Sequence, residues 1–224
     1  LIVAELGTKA LSAISNLTKE FTELGKQQSK LEFQTKNLYK NLGLSSYSDE
    51  IQNIIVQHSK MTSIDDDELL ASFNKIISVT KDQKNAFELL ALAEDLAAGK
   101  GIDLDSATEA LIKGLQGEGR SLKQFQVYLD ETALSATTAE GRMKLLKQAI
   151  EGAFSGAAIG YSKTAAGQMD AFSIAIGNIK EAFGREFVES IAPTLGQIAT
   201  TLNNLNLDNI VDSFGKLVTS GMGK

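Results

Sequence analysis

One proline, Pro193, stands in a chain of 224 residues whose apolar side chains recur through most of the length at spacings of three and four. Proline removes a backbone donor and clashes with the preceding turn, so its near-absence permits long uninterrupted helices. Spacings of three and four put apolar side chains on one face of a helix, whereas strands require strict alternation. Sandwiches and barrels also need many Gly/Pro turns and strands rich in aromatic and β-branched residues, and aromatic residues make up only 6% of this chain. The expected fold class is all-α: an N-terminal coiled-coil helix, a compact bundle of short helices, then long helices.

The first forty residues carry the most regular pattern. Alternate steps of four and three from Val3 reach Gly7, Ala10, Ile14, Leu17, Phe21, Leu24, Gln28, Leu31, Thr35, Leu38 and Leu42. The first position of each heptad (Val3, Ala10, Leu17, Leu24, Leu31, Leu38) is apolar throughout. A seam of period 3.5 favours helices wound around one another, so residues 1–44 read as a coiled-coil stalk. Its oligomerisation seam is Val3, Ala10, Ile14, Leu17, Phe21, Leu24, Leu31 and Leu38. The competing reading is one long helix lying on its own domain.

Residues 45–136 read as a small bundle of short helices with legible starts. Ser48 precedes Asp49-Glu50; Asp65-x-x-Glu68 has the form of a capping box; Thr80-x-x-Gln83 opens a helix that Gly99 and Gly101 close; Asp103 caps the next, which ends in the Gly117–Gly119 turn. Thr137-x-x-Glu140 starts another helix. Over 137–192 the apolar residues run from Met143 to Phe187 at spacings mainly of three and four, and one or two long helices are expected to end near Pro193. Gly152, Gly156 and Gly160 stand four apart and would form a helix–helix close-packing face. Residues 193–224 are expected to be a loosely ordered tail or linker.

Chemistry finds little purchase. The absence of cysteine excludes a disulfide scaffold, a thiolate metal site and a cysteine nucleophile, and a single histidine, His58, excludes any site needing two. Ala98-Gly99-Lys100-Gly101 fails the phosphate-loop pattern, with Glu94 where its first Gly belongs and Gly101 where Ser or Thr must follow the Lys. Asp103-x-Asp105 fails as a calcium loop, because Ala107, Thr108 and Gly114 occupy its third acid, Gly and closing Glu positions. Asp65-Asp66-Asp67-Glu68 has the charge of a solvated helix start. His58 beside Ser59 and Ser63 lacks a visible orienting group or oxyanion element. No catalytic, cofactor-binding or metal-ligating residue is therefore assigned.

The charge is unevenly spread. Six basic residues face four acidic ones over 1–40, eight face sixteen over 41–135, and eight face eight over 136–224. No basic patch of the kind that grips duplex DNA is present, so specific nucleic-acid binding is not expected. No stretch reaches the roughly 18 apolar residues of a membrane-spanning helix. The chain opens on Leu-Ile-Val rather than Met, as an internal segment of a longer polypeptide or a processed chain would.

One stretch is more specific than composition. Ala86-Phe-Glu-Leu-Leu-Ala-Leu-Ala-Glu-Asp-Leu-Ala-Ala-Gly-Lys-Gly-Ile-Asp-Leu-Asp and the following Ser106-Ala-Thr-Glu-Ala-Leu-Ile-Lys-Gly-Leu-Gln-Gly, continued by Arg120-Ser-Leu-Lys-Gln-Phe, resemble a helical module of the tail tape measure proteins of long-tailed bacteriophages. Leu90 to Leu96, Gly99 to Asp105, Ala107 to Leu115, Gly117, Leu122 and Leu129-Asp130-Glu131 match that module. Arg142-Met-Lys-Leu-Leu, Gly167-Gln-Met, Phe183-Gly184 and Pro193 are similar to its continuation. The likeness spans about residues 50–200. Gly119 and Phe125-Gln126 depart from the family pattern, both in turns, which puts local geometry in doubt.

The resemblance implies a structural virion protein and not an enzyme. It would be made in the host cytoplasm, lie in the tail tube lumen, set tube length and be released before genome ejection. Its partners would be further copies of itself, as a trimer or another small homo-oligomer, the tail tube and the tail-tip hub proteins, with contact at the genome end and with a membrane only on ejection. The alternative is a helical interaction or translocator module of another injection or contractile-nanotube system.

Overall fold

A computed structural model describes the backbone of residues 2–204, with side chains over 15–194 except 136, and at 197. Among the described residues the chain is all-α, without a strand. Helix α1 spans Ile2–Leu42, and a 3-10 turn at Ser45–Tyr47 leads into α2 (Ser48–Thr62). There follow α3 (Asp66–Thr80), α4 (Gln83–Lys100), α5 (Leu104–Leu115), α6 (Arg120–Lys123), α7 (Glu131–Ala136), α8 (Ala139–Phe154), α9 (Ala157–Ser162) and α10 (Ala165–Asn204).

Helix starts are written in short polar side chains that satisfy orphan backbone donors. The Asp65 carboxylate accepts from the N–H groups of Asp67 (3.0 Å) and Glu68 (3.4 Å) at the head of α3. Asp103 accepts from the N–H of Ser106 (2.7 Å) and from its hydroxyl (2.8 Å). The cap of α4 is Asp82, which accepts from Asn85 N–H (2.7 Å), and not Thr80, which ends α3. Likewise Thr138, not Thr137, caps α8 through Gly141 N–H (3.2 Å). In both cases the capping side chain sits three residues before the donor it satisfies, which moves the start by one or two residues from the sequence expectation. Ser48 makes no cap, because the 3-10 turn delivers the chain straight into α2. Helix α4 ends on Gly101, whose φ of +64° suits glycine; Gly99 remains inside the helix.

The chain forms two compact units, residues 27–180 and residues 1–26 with 181–224. In the first, α4 is central, packing against α3, α5, α8 and α9. Its Leu89, Leu90, Leu92, Ala93, Leu96 and Ala97 are buried on several sides, as a helix enclosed by others requires. Phe73, Ile76 and Ile77 of α3, Leu111 of α5, and Leu146 and Ile150 of α8 complete the core. Arg142 of α8 donates to the carbonyls of Leu134 (2.8 Å) and Leu115 (3.4 Å), holding the ends of α7 and α5.

Three sequence expectations are corrected here. The boundary near residue 44 does not separate stalk from bundle: Leu31, Leu38 and Leu42 pack against the core, Tyr39 is buried in it, and Asn74 donates to Thr35 Oγ1 (2.6 Å). The boundary at 136 fails likewise, since Met143, Leu146 and Ile150 belong to the same core. Pro193 does not end the last helix but lies inside α10; its cost is one lost intrahelical bond and a local clash, which a 40-residue helix absorbs as a local perturbation. Of the expected tail at 193–224, residues up to Asn204 are helical, and 205–224 lie outside the described residues.

In the other unit two glycines let helices meet at backbone distance. A Cβ at Gly25 would stand 2.5 Å from the Gly184 carbonyl oxygen, and one at Gly184 would stand 2.7 Å from that of Phe21. The Phe21 and Phe183 rings stack beside them with centroids 6.1 Å apart.

Candidate functional site

The seam positions divide into three groups. Val3, Ala10 and Ile14 lie in helical backbone, but their side chains fall outside the described residues. Leu17 is 47% exposed, while Phe21 and Leu24 are half-buried. Leu31 and Leu38 face the chain's own core. The apolar stripe of α1 is therefore shared: its last two heptads are taken by intrachain packing, so they are not available to a partner helix as a continuous seam.

The glycine face does not form. Gly156 has φ +73° and lies between α8 and α9, so Gly152 and Gly160 belong to different helices. A Cβ at Gly152, Gly156 or Gly160 would meet nothing within 4 Å. The start of α9 lacks a capping side chain of its own, and Asp95 of α4 supplies one, accepting from Gly156 N–H (2.9 Å) and Ala158 N–H (3.0 Å). Ser162 then donates to the Met61 carbonyl (2.7 Å), tying α9 to α2.

His58 has an orienting partner that sequence reading misses. Its Nδ1 lies 2.8 Å from Glu94 Oε1, joining α2 to α4, and Glu94 is buried. The hydrogen bond raises the imidazole pKa above its ordinary value against the opposing effect of burial. Burial raises Glu94, with the bond to His58 acting the other way. The geometry makes an interhelical ion pair; the two residues are 36 apart, so no local motif could announce them.

A cleft of about 480 Å³ opens between the α2–α3 turn, the α4–α5 turn, α9 and the start of α10, lined among others by Asp65, Glu68, Asp103, Tyr161 and Asp170. Its acids are already engaged. Asp65 and Asp103 cap helices, and Asp170 accepts the Tyr161 hydroxyl (2.6 Å). Beside it, burial and the neighbouring charges of Asp65, Asp66 and Glu32 push Asp67 up to about 6. Among the described residues no group of three or more His, Cys, Asp or Glu could hold a metal ion, and no helix is long and apolar enough to cross a membrane.

Large apolar side chains are also exposed among the described residues, Phe33 and Tyr128 among them, and four more lie on one side of α10. Met169, Phe172, Ile176 and Ile179 are all exposed. Their positions are legible in the sequence, but their exposure is not, because spacing reads the same for a face turned inward or outward. No protein-family model, curated protein or solved structure matches the chain.

Proposed function

We propose that this chain is a segment of a phage tail tape measure protein: a non-enzymatic structural element, present in several copies in the tail tube, whose helical length sets tube length before its release ahead of the genome. The observation that carries the reading is the pair of long helices, α1 of 41 residues and α10 of 40, one at each end of the described chain. A helix rises 1.5 Å per residue, so each extends about 60 Å and length follows residue count linearly. The likeness of Ala86–Phe125 to the family's helical module supports the same reading.

The test is a deletion in the phage that encodes the chain. Removing three whole heptads, residues 3–23, preserves the 3.5-residue phase of what remains. Tails imaged by electron microscopy are expected to shorten by about 32 Å, the rise of the deleted turns. Assembled tails of unchanged length would reject the ruler.

A further inference from the structure

The last turns of α1 have an inward and an outward side of different chemistry. Leu31, Thr35, Leu38, Tyr39 and Leu42 are buried or packed against the core. At about 100° per residue, Phe33 falls opposite the middle of that set, and it is 67% exposed. Lys30, Lys36 and Lys40 are exposed and lie within about 60° of Phe33 round the helix. Among the described residues no carboxylate pairs with any of the three. Glu32 stands about 100° away, on the side of α3, where its charge acts on Asp67. The lysines follow one another after six and four residues, about 9 and 6 Å along the axis. In sequence the same register runs back to Lys26 and Lys19. The outward side is thus a row of lysines around one aromatic ring, on a chain whose net charge is −6.

Such a row meets negative charge, and the chemistry around it selects the kind. An acidic protein surface gains little there, since an exposed lysine–carboxylate pair is worth at most about 1 kcal/mol. An anionic lipid surface asks for an apolar side that sinks in beside the charges. The apolar side of α1 is taken by the core, which leaves Phe33 as the large apolar side chain facing out. A nucleic-acid strand is a line of phosphates, and a line of lysines laid along it gains from the counterions it releases. An exposed ring among the lysines takes a base by stacking, worth about 1–3 kcal/mol per base. A duplex keeps its bases in its own stack, so the ring selects a single strand. We propose that the outer face of α1, formed by Lys30, Phe33, Lys36 and Lys40, binds single-stranded nucleic acid without sequence preference. The lysines hold phosphates and Phe33 stacks on one base. The inference stands on this face alone and not on the tape measure reading.

The test is fluorescence anisotropy of a labelled oligothymidylate titrated with the full chain. Binding is expected with a Kd on the order of 10 μM at about 20 mM salt. The plot of log K against log salt should slope at about −2, as three phosphate contacts on a single strand give. Lys30→Gln, Lys36→Gln and Lys40→Gln together should weaken binding by about tenfold or more. Phe33→Ala should weaken it by about fivefold or more, and Phe33→Trp should retain it. The control Lys113→Gln, Lys144→Gln, Lys163→Gln removes the same charge from exposed sites elsewhere and should leave Kd within about twofold. All these side chains are exposed, so helicity and melting should not change. The proposal is overturned by an oligonucleotide that does not bind, by equal losses in the two triple variants, or by a Phe33→Ala variant that binds as the wild type does. Duplex bound as tightly as the single strand overturns it too, as do phosphatidylserine vesicles bound in place of the oligonucleotide. Should the first triple variant unfold, Phe33 decides: loss with Ala and retention with Trp support the face, and equal binding by both rejects it.

Discussion

At the scale of single residues the most consequential contact is His58 with Glu94. Glu94 is buried and His58 half-buried, so truncating His58 strands a buried carboxylate at a cost of about 2 kcal/mol. His58→Ala is expected to destabilise the fold by about 2 kcal/mol at pH 7, measured by urea unfolding. The sign with pH follows from the raised pKa values. The His58 value rises above its ordinary 6.5, so its contribution is full below pH 6.5 and fades as pH climbs through the raised folded value. Glu94 also rises from its ordinary 4.5, so a stranded Glu94 is least costly when protonated. The His58→Ala variant should therefore recover stability as pH falls toward 4.5, and adding Glu94→Gln should restore much of it at pH 7. Parallel pH profiles for wild type and variant would show that Glu94 is not the stranded charge. The pair was illegible in sequence for a physical reason. Local spacing reports which face of a helix is apolar, but not which polar residue on α2 meets which on α4.

Elements were legible where their signals are local. Asp65 and Asp103 mark helix starts, and Gly101 marks an end, because a cap and its donor lie within three residues. The break after Phe154 was missed because the evenly spaced glycines resemble a packing face, and because the cap that fixes the break, Asp95, is 61 residues from Gly156. The three glycines now separate by backbone conformation. Gly152 and Gly160 sit in helices with open space where a Cβ would go. Each replacement by Ala should stabilise by about 0.5–1 kcal/mol through helix propensity and lower unfolded-state entropy. Gly156→Ala should destabilise by about 1 kcal/mol, since φ +73° is a left-handed conformation. Thermal melts of the three variants check this directly. A common sign for all three would mean that α8 and α9 are not separated at Gly156.

For the whole molecule, the sequence expectation of a stalk joined to a bundle gives way to a division that cuts through two helices. The reason is that α1 changes allegiance along its length. Its side chains from Leu31 onward complete a core whose fully buried members run from Tyr39 to Ile150, while Leu17 remains exposed. A core closed within residues 27–180 should survive removal of everything outside it. A fragment of residues 27–180 is accordingly expected to unfold cooperatively, with a melting temperature within about 5 °C of the full chain. Frayed ends at two cut helices amount to about 1 kcal/mol, worth a few degrees in a domain of this size. The fragment keeps Met169, Phe172, Ile176 and Ile179 but lacks Leu17, Phe21 and Leu24. If it folds and still sediments as an oligomer, both the closed core and the contact between copies lie within it. If it folds only as a monomer while the full chain associates, residues 1–26 or 181–224 hold the copies together. If it fails to fold, residues 1–26 or 181–224 contribute to the core in a way that the burial pattern of 27–180 does not contain.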